Sequence, residues 1–161
     1  MINKIISGAQ NGADIAGLKV AKLFGLESGG WIPKGFRTLD GPKPEYSEIF
    51  GIQEHSSFNY PPRTFLNVKY SDGTMRFAAD FNSSGEICTL KAIFQYKKPY
   101  FDVNVLNPED HAIEKATEWI IENKINILNV AGNSQKTYCK TEKRTIYFLT
   151  MLLRNLGLKE K

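Results

Sequence analysis

Cysteine, histidine and long apolar runs are scarce in this chain of 161 residues, and each scarcity excludes a class of protein. The two cysteines, Cys88 and Cys139, have no Cys-x-x-Cys spacing, which indicates neither a zinc site nor a disulfide framework. The two histidines, His55 and His111, stand alone, so we assign no metal-binding or catalytic role to either. No apolar run approaches the roughly 20 residues that a membrane-spanning helix needs. The amino terminus lacks a charged-then-apolar signal region, and we therefore expect a cytoplasmic protein with no membrane partner.

Charge of one sign is also not concentrated anywhere in the chain. The net charge is +4, but the lysines and arginines are dispersed along the sequence. A nucleic-acid-binding face would normally concentrate them, so the charge favours a small phosphorylated or otherwise acidic ligand over nucleic acid. The length and the 42% of apolar residues fit a single domain over residues 1–161.

Strand-like and helix-like segments alternate along the chain. Short apolar strands are predicted near residue 5 and at 49–57, 74–79, 100–105 and 125–131, and helices at 12–24, 60–69, after 84, after 108 and up to 157. This alternation predicts an α/β fold with an open, mostly parallel sheet covered by helices on both faces. Ligands of such sheets bind at the carboxyl ends of the strands, so the turns at those ends are the candidate site.

The turn after the first strand has the composition of a phosphate cradle. Gly8 and Gly12 permit a tight turn, and the amino end of the following helix favours an anion. Gln10 and Asn11 add side-chain donors, and the stretch ends at Asp14. It lacks the third glycine of a dinucleotide fingerprint and is not a Walker loop. A turn that needs glycine only for its backbone geometry is the alternative.

Residues 29–42 are rich in glycine and proline, which predicts neither a long helix nor a central strand. Long irregular segments in small domains are often binding loops. Trp31 offers a flat face for a heteroaromatic ring, Arg37 a planar fork for phosphate oxygens and Lys34 a point charge. The alternatives are a core position for Trp31 and a solvated face for Lys34 and Arg37.

Two more glycine turns follow predicted strands. Ser84, Gly85 and Thr89 would donate hydrogen bonds to a phosphate, with a simple helix cap as the alternative. Gly132 and Asn133 form the third turn of this kind. We expect the three turns to face one crevice that holds a small anionic, ring-containing ligand.

The glycine- and proline-rich segment also carries a family resemblance. Gly29-Gly30-Trp31-Ile32-Pro33-Lys34-Gly35, with Arg37 and Asp40-Gly41-Pro42, resembles the loop of the molybdenum carrier family, the molybdenum cofactor carrier proteins. Further matches in the same order are Arg63-Thr64, Asn67-Val68, Ser71-Asp72-Gly73-Thr74 and Asn129-Val130-Ala131-Gly132. The resemblance implies a Rossmann-like fold, a homo-oligomer, and non-catalytic binding of the molybdenum cofactor, a molybdenum-bearing pterin with a phosphate.

The turns and the resemblance together give one set of candidate ligand-binding residues and no catalytic or metal-binding residue. The set is Gly8, Gln10, Asn11, Gly12, Asp14, Trp31, Lys34, Gly35, Arg37, Asp72, Ser84, Gly85, Thr89, Gly132 and Asn133.

Departures from the family pattern leave two other functions open. Ile15 stands where the family has an arginine, and Glu86 places an acid beside a turn expected to hold phosphate. The wider superfamily includes nucleotide N-glycosidases that use an arginine and a glutamate, and Glu86 or Asp14 would then be the general acid or base. Against this, the expected Pro-Gly-Gly-x-Gly-Thr loop is missing. The third possibility is a protein that receives or sequesters a nucleotide signal without turnover.

Overall fold

The computed structural model describes residues 1–161 and contains eight strands and six helices. In chain order they are β1 (Lys4–Ile6), α1 (Ala13–Leu23), β2 (Glu27–Ile32), β3 (Arg37–Thr38), β4 (Gly41–Pro42), α2 (Tyr46–Phe50), β5 (Ile52–Glu54), α3 (Tyr60–Lys69), β6 (Gly73–Ala78), α4 (Ser84–Tyr96), β7 (Tyr100–Asn104), α5 (Ala112–Glu122), β8 (Ile127–Gly132) and α6 (Thr141–Asn155). None of the helices combines the length and the apolar character needed to cross a membrane.

Six strands form one parallel sheet in the order β5-β2-β1-β8-β6-β7, while β3 and β4 form a separate antiparallel hairpin. The predicted α/β, Rossmann-like fold is therefore confirmed. From β1 the chain moves outward to β2 and β5 on one side, and β6, β7 and β8 lie on the other. The order reverses beside β1, and this reversal opens a crevice at the carboxyl ends of β1, β8 and β6.

The two faces of the sheet are covered unequally. Helices α1, α5 and α6 pack together on one face, where nineteen buried apolar residues form the main core. Helix α6 contributes an apolar stripe of Phe148, Leu149, Leu152 and Leu153 to this core. Helices α3 and α4 pack together against the other face of the sheet. Val68, Ala92 and Ile93 form a small apolar cluster there. Because this cluster is small, polar side chains line much of the space beneath α3 and α4.

The glycine- and proline-rich segment is more regular than its composition predicts. Gly29 to Ile32 belong to β2, which pairs with both β1 and β5, so the expectation that residues 29–42 avoid the central sheet was wrong for this part. Gly30 explains the difference, because it has a φ of +123° and a Cβ on it would lie 2.1 Å from the Ser7 carbonyl oxygen. Glycine here allows a close strand contact that other residues would block.

Candidate ligand-binding site

A cavity of about 460 Å³ opens at the carboxyl ends of β1, β6 and β8, between α3 and α4. This volume is within the range of small-molecule sites, and the position is the one expected for this fold. The cavity brings together the predicted residues Gly8, Gln10, Asp14, Ser84, Gly85, Thr89, Gly132 and Asn133. The predicted residues that do not line it are Asn11, Gly12, Trp31, Lys34, Gly35, Arg37 and Asp72.

Some backbone amides of the turn before α1 donate hydrogen bonds within the protein. The Ala9 amide donates to Ser7 Oγ at 3.1 Å, and the Ala13 amide donates to the Asn133 carbonyl oxygen at 3.1 Å. A Cβ on Gly12 would lie 2.3 Å from the same Asn133 oxygen. Packing against the loop after β8 therefore accounts for the glycine at position 12, as in the alternative interpretation.

Gln10 and Asn11 hold the β3–β4 hairpin beside the cavity through side-chain hydrogen bonds. Gln10 Nε2 donates to the Arg37 carbonyl oxygen at 3.1 Å, and its Oε1 accepts from the Leu39 amide at 3.1 Å. Asn11 Nδ2 donates to Asp40 Oδ2 at 2.9 Å. As a result Leu39, although 53% exposed, lines the cavity. These two amide side chains position the hairpin.

Trp31 and Lys34 make aromatic contacts outside the cavity. The Trp31 ring lies 5.0 Å from the Tyr70 ring, centroid to centroid, at the carboxyl end of α3. The Lys34 Nζ atom lies 5.1 Å from the centroid of the exposed Phe58 ring. Neither residue lines the cavity in which the predicted turns meet.

Asp72 and Gly35 also lie away from the cavity. Asp72 is at the amino end of β6, where its Oδ2 accepts hydrogen bonds from the amides of Asn126 and Ile127 at 3.0 and 2.8 Å. These bonds join the starts of β6 and β8, at the opposite edge of the sheet. Gly35 has a φ of +79° in a turn where a Cβ would meet nothing within 4 Å.

The most prominent cation in the cavity is Arg63 on α3, to which the sequence assigned no binding role. Its Nη1 lies 3.4 Å from Asp14 Oδ2, and its Nε is buried without a hydrogen-bond partner. The Tyr60 ring, which also lines the cavity, lies 5.6 Å from the guanidinium carbon of Arg63 and 5.2 Å from that of Arg37. A Cβ on Gly8 would lie 1.4 Å from Arg63 Nη1, so Gly8 is needed to make room for this guanidinium. The sequence contained one signal that could have identified Arg63 as a site residue, because the family resemblance includes the Arg63-Thr64 pair.

The first turn of α4 provides the free backbone donors of the cavity. The amides of Ser84, Gly85 and Glu86 have no partner within the helix, and no side chain caps it. These residues line the cavity together with Ser83, which precedes the helix. The amino end of a helix attracts anions through these amides and the helix dipole. The predicted donor Thr89 is already committed, because its Oγ1 donates to the Gly85 carbonyl oxygen at 3.0 Å.

Gly132 and Asn133 hold β8 against β6 at the floor of the cavity. Asn133 Oδ1 accepts from the amides of Ala79 and Asp80, both at 2.9 Å. A Cβ on Gly132 would lie 1.9 Å from the Phe77 carbonyl oxygen. These two residues shape the cavity through contacts within the protein.

Two buried acids give the cavity an unusual electrostatic character. Burial raises the pKa of Asp14, against the opposing effect of Arg63. Burial likewise raises the pKa of Glu86 to about 8, although Arg76 and Arg63 oppose the rise, while Asp14 and Asp102 add to it. Glu86 is 2% exposed and its Oε2 has no hydrogen-bond partner. The Glu86 carboxyl group is therefore largely protonated at neutral pH.

Comparison with known proteins finds similarity over most of the chain. The model of the circularly permutated YpsA SLOG family matches residues 5–153. The fold is similar to a crystal structure at 1.45 Å resolution of "Putative molybdenum carrier protein" from Syntrophus aciditrophicus SB. The two are 33% identical with a TM-score of 0.84, over 94% of this chain and 95% of the other. A comparison with curated proteins gives no match. With most of its length matched by the family model, this chain belongs to the circularly permutated YpsA SLOG family.

Proposed function

We propose that this protein binds the molybdenum cofactor in the cavity between α3 and α4 and carries or stores it without chemical change. One observation supports a phosphorylated ligand in particular: the side chain of Arg63, which keeps 13% exposure, lines the same cavity as the free amides at the start of α4. The similarity to the carrier from Syntrophus aciditrophicus supports the ligand class.

In this proposal the phosphate of the cofactor binds to the amides of Ser84 and Gly85 and to Arg63. An arginine and a helix amino end together provide charge-assisted hydrogen bonds to phosphate oxygens. The Tyr60 ring is the aromatic surface of the cavity and takes the place that the sequence gave to Trp31. Leu39 on the β3–β4 hairpin offers an apolar contact at the same cavity.

Calorimetric titration of the purified protein with the molybdenum cofactor tests the proposal. We expect saturable binding that Arg63→Ala weakens, because the variant removes the cavity's guanidinium. Lys34→Ala is the matched control, since Lys34 lies outside the cavity. A folded protein that neither binds the cofactor nor protects it from loss would contradict the proposal.

A nucleotide N-glycosidase is the second candidate, and the protonated carboxyl group of Glu86 favours it. An acid with a pKa of about 8 in a ligand cavity is suited to donate a proton to a leaving base. This candidate predicts release of the base from a nucleoside monophosphate, abolished in Glu86→Gln. No release by the wild type would reject it. Tight binding of the nucleotide with its recovery intact would instead identify a protein that receives or sequesters a nucleotide.

A further inference from the structure

We propose that the carboxyl group of Glu86 donates a hydrogen bond to the phosphate of the bound ligand. This inference rests on the proposed binding of a phosphorylated ligand at the amino end of α4. It gives Glu86 a role in binding that the sequence pattern does not suggest, because an acid beside a phosphate is expected to repel it.

The position of Glu86 supports this role. It lies in the first turn of α4 next to Gly85, so its own backbone amide is one of those that would hold the phosphate. Its side chain is only 3% exposed, yet Glu86 lines the cavity. Its Oε2 has no hydrogen-bond partner, which is costly for a buried polar atom. Oε2 is closed off from the cavity, so Oε1, which has no hydrogen bond within the protein and is not closed off, is the carboxyl oxygen that a ligand phosphate would contact.

The nearest cation, Arg76, compensates the charge of Glu86 only in part because its guanidinium also binds another carboxylate. Arg76 on β6 makes two hydrogen bonds to the Asp102 carboxylate on β7, at 2.8 and 2.6 Å. Its Nη1 donates to the Glu86 backbone carbonyl at 3.2 Å and stays 3.7 Å from the carboxyl Oε2. The other charged groups acting on Glu86 are Asp14 on α1 and Arg63 on α3, which are themselves paired at 3.4 Å. The charges around Glu86 therefore largely cancel one another, and burial has the largest effect on its pKa.

Protonation decides whether Glu86 helps or opposes an anion. The neutral carboxyl group offers one O–H donor, whereas the ionised group only accepts and repels the phosphate. An anion bound beside Glu86 favours the protonated form, so binding should raise its pKa above the value of about 8 in the free protein. The affinity for an oxyanion should consequently fall by up to about tenfold per pH unit once the pH exceeds that value.

Calorimetric titrations with sulfate between pH 6 and pH 10 test this inference. Sulfate keeps the same charge over this range, so any change in affinity reports on the protein alone. We expect the affinity of the wild type to fall steeply above about pH 8. Glu86→Gln should bind sulfate with nearly constant affinity, because its side-chain amide is a permanent neutral donor. Inorganic phosphate is the second probe, measured at the same pH values.

The possible results separate this inference from the proposed function. The same pH dependence in the wild type and in Glu86→Gln would overturn the role of Glu86 while leaving the phosphate site intact. Failure of both anions to bind at any pH would reject the site itself. A second measurement does not require the variant: carbon NMR of glutamate-labelled wild type should show the Glu86 midpoint moving upward when sulfate saturates the protein. An unchanged midpoint would also overturn the inference.

Discussion

Glu86→Gln should be increasingly more stable than the wild type as the pH rises, because the wild type loses stability and the variant does not. The pKa of Glu86 is raised from 4.5 to about 8 in the folded protein, so ionisation favours the unfolded state. The contribution of this group to stability is complete below about pH 4.5 and is lost as the pH rises to about 8. This interval of about 3.5 pH units corresponds to at most about 5 kcal/mol, at about 1.4 kcal/mol per unit. Glutamine carries no titrating proton and does not lose this contribution.

Urea unfolding at pH 5, 6, 7, 8 and 9, in buffers without sulfate or phosphate, measures the effect. The difference in free energy of unfolding between Glu86→Gln and wild type should grow by up to about 1.4 kcal/mol per pH unit until about pH 8 and then level off. Glu118→Gln is the control, because Glu118 is exposed in the middle of α5, and its difference should stay constant. A constant difference for Glu86→Gln would refute the conclusion that Glu86 is protonated at neutral pH.

Three further substitutions test how the cavity is built. Arg63→Ala should weaken binding of a phosphorylated ligand by about 1–3 kcal/mol in calorimetry, while Lys34→Ala leaves it unchanged. Gly8→Ala should also weaken binding, because its Cβ would displace the Arg63 guanidinium, but circular dichroism should show a folded protein. Gly132→Ala should destabilise the fold by more than about 3 kcal/mol in urea unfolding, because its Cβ would meet the Phe77 carbonyl oxygen at 1.9 Å, where backbone has to move. Equal loss of stability in the two glycine variants would contradict this distinction.

The sheet and its crevice could be predicted because they follow from local patterns. Apolar runs alternating with amphipathic helices determine a parallel sheet, and the turns at Gly8, Ser84 and Gly132 mark the carboxyl ends of three strands. The structure places these three turns around one cavity, as predicted. Local sequence is sufficient for this step, since strand direction alone fixes the edge to which each turn belongs.

The roles of individual residues could not be predicted, because they depend on partners distant in the sequence. Gly12 is a glycine because a Cβ there would clash with the Asn133 carbonyl oxygen. Gly8 is a glycine because a Cβ there would clash with the Arg63 guanidinium. Trp31 packs against Tyr70 and does not line the cavity. In each case the partner lies more than 30 residues away, where spacing rules give no information.

Glu86 illustrates the same limit for electrostatics. The sequence indicates a negative charge beside a phosphate turn, which argues against an anion there. Burial between α4, Arg76 and Asp102 reverses this argument, because it favours the neutral form of the acid. Burial of a particular carboxyl group is a tertiary property, and the sequence around Glu86 contains no pattern that reports it.

An NMR titration of the 15N-labelled protein with inorganic phosphate at pH 7 tests most directly where the ligand phosphate binds. The structure predicts saturable shifts in the amide signals of Ser84, Gly85 and Glu86, since these amides have no partner within the helix. The amide signals of Ala9 and Ala13 should not shift, because both amides already donate to acceptors in the protein. Saturable shifts confined to the turn before α1, with none at the start of α4, would contradict the proposed site.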